Sequence, residues 1–153
     1  MDSGQQLSRF IDAQDFGGRG WSATYEVALS ELRRGRKVTH WIWYVFPQLE
    51  GLGRSEMCDI YGIRGIEEAT AYLANPTLRE RLVTVSEALL ELPTRDAQAV
   101  LGRIDARKVR SCMTLFSLVE GTDPVFGRVI DEYYGGQPDP RTLELLGLAR
   151  NEG

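Results

Sequence analysis

The sequence predicts an all-α fold, a single compact multi-helix domain of seven to nine helices with at most one short strand. Three observations lead there. Apolar residues recur at i, i+3, i+4 spacing through most of the chain. Capping residues and glycine or proline stops bracket those stretches. At 153 residues the chain is one domain long, enough to bury roughly 68–70% of the surface its unfolded form would expose. No repeat or low-complexity linker divides residues 1–153, and the patterned core runs from about residue 7 to residue 146.

The elements follow in order. Leu7, Phe10 and Ile11 share one face of a helix over Gln6–Gln14, and the glycines of Phe16-Gly17-Gly18-Arg19-Gly20 end it. Ser22 reads as the N-cap of a second helix with the stripe Tyr25, Ala28, Leu29 and Leu32, and Gly35 takes its left-handed C-terminal position. The aromatic run Thr39–Gln48, THWIWYVFPQ, suits a strand by propensity. Trp41 with Val45 and Ile42 with Phe46 nevertheless pair at i, i+4, so periodicity leaves helix and strand both open.

Ser55 caps a short helix through Tyr61, and Glu67–Leu73 forms another, stopped by Asn75-Pro76. From Thr77 a longer helix buries Leu78, Leu82, Val85, Leu89 and Leu92, with Pro93 beyond its end. Asp96–Leu101 makes a short helical turn. Asp105 caps the next helix, which turns Val109, Cys112, Met113 and Phe116 inward. Asp123-Pro124 and Asp139-Pro140 each pair an N-cap with proline at the first helical position. Their apolar stripes are Phe126, Val129, Ile130, Tyr133 and then Leu143, Leu146, with Gly135-Gly136 between them.

An apolar fraction of 42% and a charged fraction of 26% are those of an ordinary globular protein. A net charge of −4 and a pI near 5.1 exclude a general attraction to nucleic acid. The charge is uneven: residues 1–54 carry seven Lys/Arg against six Asp/Glu, and residues 55–153 carry eleven against sixteen. A basic patch is therefore local, and four of the early cations are Arg33, Arg34, Arg36 and Lys37. Cys58 and Cys112 have no CxxC spacing and read as buried free thiols. The opening MDSGQQLSRF lacks the basic and apolar regions of a signal peptide, and no apolar run reaches the ~18 residues of a membrane span. A cytoplasmic protein is expected.

Two segments carry residues suited to chemistry. In the first, His40, Trp41 and Trp43 lie beside Arg36 and Lys37, with Gln48, Gly51, Gly53 and Ser55 just beyond. Tryptophan faces stack planar ligands, His40 titrates nearest neutrality, and the cations grip phosphate or carboxylate. Gly51 and Gly53 let backbone amides approach a ligand, and Ser55 opens a helix whose N-terminus attracts anions. Each also has a structural reading, in which Trp41 and Phe46 are core, His40 is a satisfied histidine, and Arg33 and Arg34 complement a helix dipole. In the second segment, Lys108, Ser111 and Cys112 recur at i, i+3, i+4 and place a polar edge, continued by Thr114, beside buried residues. Lys108 there is an anion anchor, an amine of depressed pKa, or a solvated charge. GLGRS is neither a phosphate-binding P-loop nor a dinucleotide fingerprint. No GxSxG elbow occurs, one histidine and unpaired cysteines leave no zinc pattern, and no spacing of carboxylates points to another metal.

The run YEVALSELRRGRKVTHWIWYVFPQLEGLGRS, the YGI at 61–63, EATAYLANPTLRERL, DARKVRSCMTLF and DEYYGGQPDPRTLELL together resemble a widespread bacterial family of unknown function, often mislabelled calpastatin. The resemblance runs from about Leu7 to Leu146, and HWxWxxFPQ is its specific element. It implies a mainly α-helical domain of its own fold type and carries over no catalytic residues. The calpastatin label implies disorder that this composition lacks.

The functional expectation is a small-molecule-binding domain for an anionic, nucleotide-like ligand such as an ADP-ribose derivative. If it is an enzyme, His40 and Lys108 are the catalytic candidates, for hydrolysis of a glycosidic or phosphate-linked bond with His40 or an acidic residue as general base. No cofactor is expected, and the oligomeric state is open. The alternative is an interaction module that meets an acidic partner through Arg33–Lys37.

Overall fold

Helix α1 (Ser3–Phe16) runs further at both ends than its apolar pattern suggests, and it buries Leu7, Phe10 and Ala13. The structure is a computed structural model that describes residues 3–18 and 22–148. Arg19 and Gly20 of the expected break lie outside the described residues. Thr24, not Ser22, caps α2 (Tyr25–Arg33): its Oγ1 accepts from Val27 N at 3.3 Å, reaching the third amide of the helix. At the other end Gly35 has φ 84° as expected. Gly35 N donates to Leu32 O at 2.9 Å and Arg36 N to Glu31 O at 3.1 Å, the paired closure of a Schellman motif.

The aromatic run resolves as one helical turn, α3 (Ile42–Val45), and not as a strand. Trp41, Ile42, Tyr44, Val45 and Phe46 are all buried, so packing on several sides overrides strand propensity. The β-pairing seen among the described residues is a single parallel bridge, Leu49 with Ile63. Ile63 N donates to Gln48 O at 2.9 Å and Glu50 N to Ile63 O at 2.8 Å. That bridge ties the loop after α3 to the end of α4 (Glu56–Tyr61), which starts at Ser55 as expected.

After α5 (Ile66–Ala74), α6 (Pro76–Glu91) begins one residue before Thr77, with Asn75 as its cap. It buries Leu78, Leu82, Val85 and Leu89, while Leu92 at its end is half-buried. The short helical turn expected over Asp96–Leu101 is α7 (Ala97–Leu101), with Asp96 as its cap. The next helix differs: α8 (Arg103–Ser117) starts from Gly102, at φ 85°, so Asp105 lies in its first turn and is not its cap. Asp123 Oδ1 accepts from Val125 N at 2.8 Å ahead of α9 (Val125–Tyr133), and Asp139 caps α10 (Pro140–Leu145).

The ten helices among the described residues bury one core. Phe10 meets Tyr72 edge-on at 5.2 Å, Tyr72 meets Phe116 at 5.1 Å, and Phe116 meets Phe126 at 6.0 Å, a file of rings through its centre. Cys112 is fully buried, and burial pushes its thiol well above the usual value, whereas Cys58 is half-buried. Helix α8 packs its apolar side against α7 and α9, and both α3 and α10 also reach it. Its polar edge thereby meets the aromatic segment, 60 residues earlier in the chain. No helix among the described residues is long and apolar enough to cross a membrane.

Candidate functional site

The segment between α2 and α3 is organised by a residue whose role the pattern conceals. Glu31 reads as a solvated helix position, yet it is 6% exposed. Its Oε1 accepts from Val38 N at 2.8 Å, Thr39 N at 3.0 Å and Trp41 Nε1 at 2.9 Å, and its Oε2 accepts from Thr39 Oγ1 at 2.6 Å. Burial alone would raise this carboxyl. The four donors outweigh it and hold the pKa below the usual carboxylate value. Two expected ligand contacts are consequently scaffold. Trp41 is fully buried with its indole N–H on Glu31, so it offers no face to a ligand. Lys37 turns inward: its Nζ lies 2.9 Å from Asp105 Oδ2 and 2.6 Å from Thr39 O, and 4.9 Å from the Trp41 ring centroid.

That ion pair explains why Asp105 is not a cap. Its carboxylate joins α8 to the segment before α3 and also stands 3.9 Å from Lys108 Nζ. Lys108 is half-buried, 5.5 Å from the centroid of the Trp43 ring, a cation over an aromatic face. His40 is exposed, and its ring centroid is 6.5 Å from that of Trp43. Trp43 Nε1 is buried and has no hydrogen-bond partner among the described residues. Arg36 is exposed, so Arg33, Arg34 and Arg36 form the exposed part of the early basic cluster, without Lys37.

The glycines and hydroxyls divide in the same way. Gly51 has φ 91°, a left-handed conformation that glycine adopts freely. A Cβ on Gly53 would stand 2.2 Å from Cys58 Sγ, so that glycine permits close packing under the loop. Ser55 Oγ accepts from Cys58 N at 3.2 Å as the cap of α4. Thr114 is fully buried; its hydroxyl donates to Arg110 O at 2.8 Å and accepts from Asp139 N at 2.8 Å, fastening α10 to α8. Gly51, Ser55 and Thr114 are thus explained by the fold itself.

Of the candidate residues, Gln48, Gly53, Lys108 and Ser111 come together. They line a cleft of about 290 Å³ between α8, the loop after α3 and the start of α10. The same cleft takes Arg107, Asp139 and Arg141, which sequence reasoning missed, with Leu52 and Ile104 on its walls. Arg107 and Arg141 are exposed, and neither side chain has an ion pair or hydrogen bond among the described residues. Asp139 Oδ2 accepts from Thr142 N at 2.9 Å and Thr142 Oγ1 at 2.6 Å, and lies 3.1 Å from Ser111 Oγ. Ser111 Oγ is equally 3.1 Å from Arg107 O and shares its proton between the two acceptors. The lining therefore sets three cations against one carboxylate that is already hydrogen-bonded. A signal for Arg141 did exist, in that it follows the Asp139-Pro140 cap at a helix N-terminus. Nothing in the sequence brings that helix to Lys108.

His40 does not line this cleft, and Ser111 has a carboxylate neighbour but no imidazole. Among the described residues no three His, Cys, Asp or Glu side chains converge to hold a metal ion.

Comparison with known proteins agrees with this picture of a helical domain. A crystal structure of the conserved hypothetical protein Rv1873 from Mycobacterium tuberculosis superposes with a TM-score of 0.85 at 39% identity, covering 93% of this chain and 96% of that one. No match to a curated protein was found. A family model described as protein of unknown function (DUF1810) matches residues 4–146, and the chain belongs to that family.

Proposed function

We propose that this protein binds a small anionic ligand in the cleft between α8 and α10. The observation that carries the reading is the pair Arg107 and Arg141, two guanidinium groups without a partner among the described residues, beside Lys108 in one concavity. Surface arginines usually find carboxylates or solvent singly. Two beside a lysine in a cleft form a fork-shaped donor array suited to phosphate or carboxylate. Ser111 and Gln48 add neutral polar groups, and Asp139 adds an acceptor for a ligand hydroxyl or amine. Leu52 and the 69%-exposed Ile104 supply apolar wall. This array favours a phosphorylated metabolite of nucleotide or sugar type.

Binding is better supported than hydrolysis. A hydrolase would need a base free to take a proton; the one histidine stands outside the cleft, and the Asp139 carboxylate beside Ser111 is already occupied by Thr142 as the cap of α10. Calorimetric titration with AMP and with inorganic phosphate tests the proposal. Arg107→Gln and Arg141→Gln should each weaken AMP binding about tenfold or more, as loss of a charged hydrogen bond does. Unchanged affinity in both variants would remove the cleft as the site.

A further inference from the structure

A second basic cavity lies on the other flank of α8. It measures about 380 Å³ and is lined by Arg95, Arg103, Arg107, Arg110, Tyr133 and Tyr134. Two of the arginines are fixed by main-chain carbonyls. Arg95 donates to Leu90 O, Leu92 O and Thr94 O, stands 5.4 Å from the Tyr133 ring centroid, and pairs through Nε with Glu132 Oε1 at 2.9 Å. Arg110 donates to Gln137 O at 2.9 Å and Pro138 O at 3.1 Å. Arg103 and Arg107 have no side-chain partner among the described residues. The carboxylate in the lining, Asp96, accepts from Gln98 N and Ala99 N as the cap of α7. Both tyrosine hydroxyls donate to backbone, Tyr133 to Leu89 O and Tyr134 to Ala106 O, and Tyr133 also contacts Arg95.

Arg107 lines both cavities. Residues 103, 107 and 110 follow one side of α8, and residues 104, 108 and 111 the neighbouring side. The exposed ridge between them bears Ile104 and Arg107, so the two basic cavities flank a strip of a single helix. An α-helix with its side chains is about 10–12 Å across, which sets the span a ligand touching both cavities has to cover. No acidic side chain stands on that ridge to repel an anion crossing it.

We infer that the ligand of the α8–α10 cleft is bis-anionic and lies across α8, with one phosphate or carboxylate group in each cavity and Arg107 between them. The inference rests on the anion-binding reading of the first cleft and adds the second cavity to it. Arg103 and Arg107 grip the distal group, with Arg110 as pre-positioned positive charge. Arg107, Lys108 and Arg141 grip the proximal one. The first turn of α8 opens beside Arg103 and adds the favourable end of its dipole. Ile104 meets the apolar or sugar part of the ligand as it crosses the ridge.

Fructose 1,6-bisphosphate and fructose 6-phosphate serve as probes that differ in one phosphate, measured by calorimetric titration. On the wild-type chain the bisphosphate should bind about tenfold or more tightly than the monophosphate, at one molecule per chain, because its second group binds at high effective concentration. Arg103→Gln lies in the second cavity alone and Arg141→Gln in the first alone. Each should reduce the bisphosphate to the affinity of the monophosphate, with circular dichroism and melting temperature unchanged at these exposed positions. A bisphosphate no tighter than the monophosphate on the wild type overturns the inference. Loss in Arg141→Gln with no effect of Arg103→Gln overturns it too, while leaving the first cleft intact as an anion site. No effect of Arg141→Gln on either probe removes the first cleft itself, and the bridging ligand with it.

Discussion

Glu31 Oε1 accepts the indole N–H of Trp41 at 2.9 Å, inside the core, and the segment between these two residues is folded around that bond. The same carboxylate holds Val38 and Thr39, so four donors converge on one buried side chain. Carboxylate bonds of this kind are worth more than neutral ones, and an orphaned buried indole N–H adds its own penalty. Glu31→Gln should therefore cost about 1.5–3 kcal/mol, and Glu31→Ala more, in urea unfolding.

The pH dependence of stability follows from the same carboxyl. Its folded pKa is below the usual 4.5, so as pH falls the unfolded chain takes up this proton first. The stability it contributes is complete above about pH 4.5 and is lost as pH falls through the lower folded value. Wild type should lose stability through that window more steeply than Glu31→Gln, by urea midpoints at several pH values. Parallel curves for the two proteins would show that another carboxylate governs the acid limb.

Lys37 and Lys108 share Asp105 but have different work. Lys37 Nζ is 2.9 Å from that carboxylate, with the side chain 6% exposed. Lys108 is 3.9 Å away and 22% exposed. Removing one partner of a buried pair leaves the other charge uncompensated, and Lys37→Met should cost about 3 kcal/mol. Lys108→Met loses a longer, more exposed contact and should cost about 1 kcal/mol or less. Its effect should fall instead on anion binding in the cleft. Equal stability losses, measured by thermal and urea unfolding, would assign Lys108 to the scaffold.

These residues show why the fold was legible in the sequence and the site only half so. Ser55 and Asp139 are local signals, since a cap bonds amides two or three residues away, and so is the left-handed Gly35; each stands where its pattern put it. The near misses are local as well: Thr24 and Ser22 are equivalent by composition, and only the path of the chain selects Thr24. Lys37 with Asp105 is a contact across 68 residues, invisible to any window, and it turned an apparent ligand cation into scaffold. Trp41 shared its composition with Trp43, but burial on Glu31 separated their roles. Arg107, Arg141 and Asp139 escaped notice because each alone reads as a solvated charge or a cap. Only the packing of α10 on α8 makes them neighbours of Lys108.

His40 provides the sharpest boundary test. Its side chain is exposed, its neighbouring ring is Trp43 at 6.5 Å, and it does not line the basic cleft. His40→Gln removes the titrating imidazole while keeping much of its volume. With no buried partner to orphan, the change should stay within about 0.5 kcal/mol in unfolding experiments, as exposed substitutions do. AMP affinity should be unchanged as well, because the cations of the proposed site are Lys108, Arg107 and Arg141, and His40 does not line their cleft. Lys108 stands 5.5 Å from that indole, so tryptophan emission is a suitable readout, with Trp43→Phe as the control that removes the signal. A tenfold loss of AMP affinity in His40→Gln, with stability retained, would move the edge of the site past Trp43 and put the imidazole in contact with the ligand.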